Sequence, residues 1–335
     1  MKSLIFLKIL IFPFLSCLTE SNIVDEVNKS VERYWNPVCA LSLPDPSLIR
    51  AQDGCFYLYA TEDIANIPIM KSKDLVAWEY IGSVFNKSNR PDFVQNGGLW
   101  APDINYIQGK YILYYSMSVW GGVSTCGIGV AVSNTPYGSF VDNGKLFISS
   151  EIDVKNSIDP CFVEDNGKKY LFWGSFYGIY AIELSDDGFS IKQGAQKIKV
   201  AGTAFEGTYV YKRNGYYYLF ASIGTCCEGV NSTYKLVVTR SENLLSGYKD
   251  KTGKSMINNG YSIMIGSNDN FVGNGHCSEI IQDDNGNDWI LCHGVDVKYP
   301  DKRVLLLNQL KWNNEGWPYI ENSSPKLFHE SPVFN

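Results

Sequence analysis

The chain contains 335 residues with a formal net charge of −6, and aromatic residues make up 14% of it. It has no run of five or more Lys or Arg residues, so it lacks the basic footprint of a nucleic-acid-binding protein. A neutral, hydroxyl-rich partner is favoured instead. The 22 Tyr and 8 Trp favour strands and stacking surfaces over helical bundles.

Residues 1–17 form a short apolar run that contains two lysines and no acidic residue. Such a run is too short to span a bilayer comfortably and is typical of a secretory signal segment. Its Leu-Ser-Cys ending resembles a bacterial lipoprotein processing site. We therefore predict an exported protein, either a periplasmic or cell-surface lipoprotein held to the membrane only by a lipid on Cys17, or a secreted one. The polar residues 18–34 are predicted to be a tether.

From residue 35 to residue 335, short runs of β-branched and aromatic residues alternate with Gly, Asn and Asp turns. Asn-Gly pairs at 166–167, 214–215 and 285–286 lie between such runs and predict hairpins. We find no convincing amphipathic helix of more than ten residues. Because the pattern keeps one character to the end, we predict a single all-β domain over residues 35–335.

A pattern of one polar residue, a strand, a Gly turn and an aromatic strand occurs five times in this domain. The anchor residues lie 47 to 70 residues apart: Asp45, Asp103, Asp159, Glu206 and His276. Repeats of this length predict a five-bladed β-propeller in which each repeat forms one four-stranded blade. If each repeat starts its first strand at the central axis, then four carboxylates and one histidine converge there.

Three of these carboxylates stand directly before apolar strands, where an unpaired charge would be costly. Asp45 and Asp159 each precede a proline, and Glu206 follows Phe205. A lone Asp-Pro most often marks a turn, but three carboxylates at one repeat position point to chemistry. Paired carboxylates suit glycoside hydrolysis, in which one donates a proton and the other acts on water or on the anomeric carbon. A third carboxylate nearby raises the pKa of the acid. Spacing alone does not assign these roles.

Five segments resemble the signature blocks of glycoside hydrolase family 43: residues 43–47 (LPDPS), 99–103 (LWAPD), 157–160 (SIDP), 205–207 (FEG) and 275–276 (GH). The resemblance implies a five-bladed propeller that inverts configuration at the anomeric carbon. It also implies that Asp45 is the general base, Asp159 the pKa modulator and orienting group, and Glu206 the general acid. Inversion then predicts that the Asp45 and Glu206 carboxyl groups lie about 6.5–9.5 Å apart, with room for a water.

Residues 174–179 (GSFYGI) and 226–234 (CCEGVNSTY) are similar to segments of the endo-α-1,5-L-arabinanase branch. The expected partner is therefore plant cell-wall arabinan or arabino-oligosaccharides. Two other activities remain open, namely an exo-acting α-L-arabinofuranosidase or β-xylosidase of the same family, and a non-catalytic glycan-binding propeller. Two departures weaken the endo assignment, because Cys277 replaces the usual Asn and Gly-Thr follows Glu206.

The same resemblance implies that His276 lies by a central hydrated cation, often calcium, and that no organic cofactor is needed. Calcium prefers oxygen ligands, so one imidazole with waters predicts a weakly held, mainly electrostatic site. His293 and His329 are interpreted as packing or surface residues. Asp103 is expected to tether backbone groups.

Aromatic rings offer flat faces for sugars, although a chain this aromatic must also bury many rings in its sheets. We predict that Trp100 and Phe176 bind substrate, with Trp120 and Tyr177 as weaker candidates for the cleft wall. By resemblance, the Ser175 hydroxyl is expected to bond the sugar beside the cleavage point. The cysteines are predicted to be mostly buried thiols, with room for one unassigned disulfide.

Overall fold

The structure is a computed structural model that describes residues 32–335. The predicted export segment, residues 1–17, and residues 18–31 of the predicted tether lie outside the described residues. The described chain is all-β, as predicted, and its one α-helical element is the single turn α1 (Ser149–Ile152). No helix among residues 32–335 is both long and apolar enough to cross a membrane.

Three antiparallel sheets contain four strands each, in chain order. The first sheet comprises β2 (Ser47–Arg50), β3 (Phe56–Tyr59), β4 (Pro68–Ser72) and β5 (Glu79–Ser83). The second comprises β6 (Gly98–Ile107), β7 (Lys110–Ser118), β8 (Gly127–Ser133) and β9 (Val141–Ile148). The third comprises β10 (Cys161–Asp165), β11 (Lys168–Trp173), β12 (Ile179–Glu183) and β13 (Ile198–Ala201).

A fourth, nine-stranded sheet consists of two groups of strands joined by one parallel bridge between Lys235 and Asn274. The fourth group comprises β14 (Glu206–Arg213), β15 (Tyr216–Ile223), β16 (Lys235–Ser241) and β17 (Ser262–Ile265). The fifth group comprises β18 (Phe271–Cys277), β19 (Ile281–Gln282), β20 (Asp288–Asp296), β21 (Arg303–Trp312) and β22 (Pro318–Tyr319). Each of the five sequence repeats thus corresponds to one group of antiparallel strands.

The hairpin predictions hold in detail at two of the three Asn-Gly pairs. Asn166 and Gly167 both have positive φ between β10 and β11, and Asn214 and Gly215 do so between β14 and β15. Two consecutive left-handed residues are what a two-residue type I′ turn requires. At the third pair only Gly286 has positive φ, because residues 283–287 form a longer loop around the carboxylate of Asp283.

The hydrophobic core is divided into five clusters, and each cluster contains residues from two groups of strands. Members of successive groups share a cluster in this order: Tyr59 with Leu113, Tyr114 with Leu171, Phe172 with Leu219, and Phe220 with Leu306. The fifth cluster joins the last group back to the first, since Leu291 and Leu58 both belong to it. Packing therefore connects the five groups in a cycle.

The N-terminal described residues pack against the end of the chain. Strand β1 (Arg33–Trp35) pairs with β23 (Phe328–Glu330), so regular structure starts two residues before the predicted boundary at 35. Cys39 forms an isolated bridge with Leu305 of β21. Five of the free thiols are buried, at Cys55, Cys126, Cys161, Cys277 and Cys292, and the adjacent Cys226 and Cys227 form a disulfide.

Candidate active site

A cleft of about 750 Å³ is lined by all seven residues that the sequence predicts for catalysis, substrate binding or metal binding. These residues are Asp45, Trp100, Asp159, Ser175, Phe176, Glu206 and His276. The four ionisable ones come from different groups of strands: Asp45 precedes β2, Asp159 precedes β10, Glu206 opens β14 and His276 lies near the end of β18. The predicted convergence therefore brings four of the five anchors into one cleft.

Three of the four converging residues have an uncommon backbone conformation. The φ angles of Asp45, Asp159 and His276 are 55°, 60° and 46°, in the left-handed region that residues other than Gly rarely adopt. Such conformations cost about 1–3 kcal/mol each and concentrate at functional sites. All three side chains line the cleft.

The carboxylate of Asp45 is surrounded by hydrogen-bond donors and positive charge. Thr61 Oγ1 donates to Oδ2 at 2.6 Å, His276 Nδ1 lies 3.1 Å from Oδ1, and Arg303 Nη1 lies 3.7 Å from Oδ2. His293 Nδ1 lies 3.3 Å from Oδ1 and accepts the Asp45 backbone N–H at 3.1 Å. Burial acts to raise the pKa of Asp45, but His276 and Arg303 outweigh it and hold the pKa well below its usual value. Asp45 is therefore ionised.

Asp159 is buried and held at both its backbone and its side chain. Its own N–H donates to Ser116 Oγ at 2.9 Å, and its Oδ2 accepts the backbone N–H of Gly207 at 3.0 Å. Burial raises the pKa of Asp159 to about 7, with the neighbouring carboxylates of Glu206 and Asp45 acting in the same direction and His276 against it.

The surroundings of Glu206 shift its pKa in the direction opposite to the shift at Asp45. Burial raises its pKa, and the hydroxyl groups of Ser175 and Tyr234 offset only part of that effect. The Ser175 hydroxyl donates to Glu206 Oε2 at 2.7 Å and accepts from Asn156 Nδ2 at 2.9 Å. The structure thus places Ser175 in the cleft with its hydroxyl on Glu206, while its contact with sugar stays a prediction.

The surroundings of His276 suit a cation that is bound mainly by water better than a cation that is bound only by protein side chains. A neutral imidazole that donates Nδ1–H to Asp45 leaves Nε2 free as a ligand, and metal-binding histidines commonly donate their other N–H to a carboxylate. Residues 32–335 contain no group of three or more His, Cys, Asp or Glu side chains arranged to hold a metal. Burial acts to lower the pKa of His276, yet Asp45 raises it to about 9, so a proton competes for the same nitrogen.

Asp103, the fifth anchor, does not line the cleft. Its Oδ2 accepts the backbone N–H of Phe162 at 2.8 Å and Asn105 Nδ2 at 2.7 Å. The carboxylate therefore links β6 of the second sheet to β10 of the third, which agrees with a tethering role.

His293 contributes to the site, although the sequence predicts it to be only a packing or surface residue. It is completely buried, its ring stacks on Tyr234, and its Nδ1 faces Asp45. His293 lies opposite Gly275 in the pairing of β18 with β20. Only that pairing register, one residue from the His276 anchor, could have revealed it.

Aromatic rings line part of the cleft. Trp100 and Trp120 pack with ring centroids 5.6 Å apart, and the side chain of Trp120 is 79% exposed. Phe176 and the Cys226–Cys227 disulfide line the same cleft. Tyr177 is not among the lining residues, and Lys155 Nζ lies over its ring at 5.7 Å.

A cleft that holds one ionised carboxylate, two carboxyl groups of raised pKa and several aromatic rings suits the acid–base chemistry of a glycoside hydrolase. The sequence model of glycosyl hydrolases family 43 matches residues 34–318, and the chain belongs to this family. The sequence resemblance to that family is therefore confirmed.

Two curated relatives illustrate the range of activities near this chain. The chain is 36% identical over 292 residues to the extracellular endo-α-(1→5)-L-arabinanase 1 of Bacillus subtilis, covering 82% of this chain and 87% of that protein. It is 35% identical over 305 residues to the extracellular exo-α-(1→5)-L-arabinofuranosidase ArbA of Cellvibrio japonicus, covering 83% and 86%.

Solved structures of arabinanases share the fold. The α-L-arabinanase of Cellvibrio cellulosa in complex with arabinohexaose superposes with a TM-score of 0.77 at 32% identity, covering 84% of this chain and 96% of that chain. The endo-arabinanase of Bacillus licheniformis gives a TM-score of 0.77 at 32% identity, covering 85% and 100%.

Proposed function

We propose that this glycoside hydrolase cleaves α-1,5-linked L-arabinofuranosyl bonds within arabinan and inverts configuration at the anomeric carbon. Asp45 acts as the general base, Glu206 as the general acid and Asp159 as the modulator and orienting group. The observation that carries the proposal is that one cleft holds both Asp45, whose pKa is lowered, and Glu206, whose pKa is raised. The names of the endo-arabinanase relatives support the choice of bond and polymer.

The environments of the two carboxyl groups suit their proposed roles. Asp45, ionised beside Arg303 and His276, can take a proton from a water that attacks the anomeric carbon. Glu206, with its raised pKa, can hold a proton and give it to the leaving oxygen. Inversion needs the water between them, which sets the carboxyl separation at about 6.5–9.5 Å.

Asp159 acts on Glu206 through the backbone and through charge. It holds the N–H of Gly207, the residue after Glu206, and so fixes the start of β14. Glu206 is one of the charges that raise the pKa of Asp159, and this repulsion is mutual. When Asp159 is ionised, its charge opposes the ionisation of Glu206.

We propose that the five groups of strands are the blades of a five-bladed β-propeller. Two observations support it: each group is antiparallel and in chain order, and the five core clusters connect the groups in a cycle. The catalytic side chains then meet at the axis because every blade places its first strand there.

Trp100 and Phe176 are proposed to stack on arabinofuranose rings along the cleft, with Ser175 near the bond that is cleaved. An exo-acting arabinofuranosidase is the second candidate function, because one relative of similar identity carries that name. The endo-arabinanase relatives support endo action, and the exposed Trp120 lines the cleft beside Trp100 as a further stacking face for a polymer.

His276 would hold a hydrated calcium ion through Nε2, with waters completing the shell, and the ion would supply positive charge near the carboxylates. The protein is proposed to be exported, since the two curated relatives are named extracellular. A lipid on Cys17 is proposed as its membrane anchor.

The proposal is tested by the products of linear arabinan hydrolysis. Mixed oligosaccharides from the first minutes, with the inverted β-anomer seen by NMR, are expected. Arabinose as the sole early product would favour the exo candidate. Binding of arabinan without release of any sugar would overturn the proposed activity.

A further inference from the structure

The carboxylate of Asp45 is held by a buried hydroxyl from the same part of the chain. Thr61 lies two residues after the end of β3 and lines the cleft. Its Oγ1 donates to Asp45 Oδ2 at 2.6 Å, and its backbone N–H donates to the carbonyl of Pro44 at 2.9 Å. Thr61 therefore holds both the side chain of Asp45 and the residue that precedes it.

The direction of the Thr61 hydroxyl is fixed by a backbone group of the second sheet. Thr61 Oγ1 accepts the N–H of Ala101 at 2.7 Å. An N–H group can only donate and an ionised carboxylate can only accept, so the single hydroxyl proton of Thr61 points to Asp45. The φ angle of Ala101 is 41°, and the register of β6 with β7 shifts between Trp100 and Asp103. At this irregularity the Ala101 N–H bonds the Thr61 side chain.

The two oxygens of the Asp45 carboxylate have different partners. Oδ2 accepts the Thr61 O–H, while Oδ1 faces His276 Nδ1 at 3.1 Å. His293 Nδ1 accepts the Asp45 N–H, so it has no proton to give to Oδ1. Rotation about the Cβ–Cγ bond of Asp45 would break the bond to Thr61. The hydroxyl therefore fixes the plane of the carboxylate.

The chain around Thr61 is also joined to β6 by bonds that do not involve the Thr61 side chain. The N–H of Glu62 donates to the carbonyl of Leu99 at 3.1 Å, and the N–H of Leu99 donates to Glu62 Oε1 at 2.8 Å. Arg90 Nη2 donates to the same Oε1 at 2.7 Å. Removal of the Thr61 hydroxyl is thus expected to leave this junction, and Trp100 beside it, in place.

We propose that Thr61 is a positioning residue that orients the Asp45 carboxylate toward the attacking water. The inference rests on the proposed role of Asp45 as the general base. A base must lie within hydrogen-bond reach of the proton that it takes, and a misplacement of about 1 Å costs about 10²-fold in rate. Because the Thr61 hydroxyl acts on the geometry of the base and not on the binding of sugar, its loss appears in kcat.

Thr61→Val keeps the branched shape of the side chain and removes the hydroxyl. We expect kcat on linear arabinan to fall about 10- to 100-fold, with KM changed less than about threefold. Thr61→Ser restores the hydroxyl and should stay within about threefold of the wild type in kcat. An unchanged kcat of Thr61→Val, or an equal loss in Thr61→Ser, would overturn the inference.

A double-mutant cycle with Asp45→Ala separates positioning from a structural defect. The cycle is measured with sodium azide, which attacks the anomeric carbon without a base while Glu206 gives its proton to the leaving oxygen. The products are a shortened arabinan and a glycosyl azide of inverted configuration. If Thr61 acts through Asp45, then Thr61→Val should change the azide-dependent rate of Asp45→Ala less than about threefold. A larger loss reveals a structural role and contradicts the inference.

Thr239→Val is the matched control, because Thr239 is a buried threonine of β16 whose hydroxyl bonds the carbonyl of Leu219 and which does not line the cleft. It should leave kcat unchanged. If Asp45→Ala retains near-normal turnover, or gains none from azide, then the proposed base is wrong and the proposed function fails with it. If azide restores turnover to Asp45→Ala while Thr61→Val keeps full activity, then only the inference fails.

Discussion

The Asp159 carboxylate accepts the backbone N–H of Gly207 at 3.0 Å, and Gly207 directly follows Glu206 in the chain. A Cβ on Gly207 would lie 3.0 Å from the His276 ring, so this position is filled by a residue without a side chain. Asp159, the proposed modulator, thus binds the backbone that carries the proposed acid.

Asp159→Asn and Asp159→Ala are therefore expected to differ. Asn keeps an oxygen for the Gly207 N–H but loses the negative charge, so kcat falls while stability stays close to that of the wild type. Ala leaves a buried N–H unpaired, which costs about 1–3 kcal/mol of the free energy of unfolding. Urea denaturation of the two variants measures the difference. Equal free energies of unfolding would show that the hydrogen bond to Gly207 does not contribute to stability.

Glu206→Gln should reduce kcat on linear arabinan by about 10²- to 10⁴-fold, the usual contribution of a general acid. Substrate binding should persist, because Gln retains the volume and the acceptor for Ser175. Glu164→Gln serves as the control, since Glu164 is an exposed carboxylate of β10 that does not line the cleft. Near-normal turnover of the polymer by Glu206→Gln contradicts the assignment of the acid.

Trp120→Ala should weaken the binding of arabinan and leave folding intact. The side chain is 79% exposed, so its removal opens no core cavity. Loss of a stacking face costs about 1–2 kcal/mol of binding, or about a 5- to 30-fold rise in KM. Steady-state kinetics on arabinan together with the melting temperature check this. A lower melting temperature with an unchanged KM would show that Trp120 contributes to stability and not to substrate binding.

We expect Glu279 to make the free energy of unfolding depend on pH. It accepts hydrogen bonds from Ser47 Oγ and from the Leu48 N–H, and burial, with Asp103 nearby, raises its pKa to about 8. The folded state then retains a proton that the unfolded state loses near pH 4.5. Stability is therefore expected to fall as pH rises from about 4.5 to about 8 and to level off above that.

Glu279→Gln, which mimics the protonated acid, should flatten this profile. Urea unfolding at several pH values between 5 and 9 compares the variant with the wild type. Parallel profiles would mean that Glu279 does not hold the proton.

The sequence predicted which residues converge in the cleft better than it predicted which residues surround them. Asp45, Asp159 and His276 could be predicted because each occupies the same position in a repeated local pattern. The roles of His293 and Arg303 depend on the pairing of β20 with β21, which no local pattern encodes. Likewise the bond from Ser175 to Glu206 joins two groups of strands. Periodicity locates anchors, whereas long-range register decides what surrounds them.

The same long-range contacts have a consequence for biosynthesis. The Asp45 backbone bonds His293, which lies 248 residues later in the chain, and the core cluster that contains Leu58 is completed by Leu291 and Leu305. The proposed base therefore acquires its histidine and arginine partners only when nearly the whole polypeptide has been translated. Such a chain remains without a working active site on the ribosome and matures as a hydrolase only after its last strands are in place.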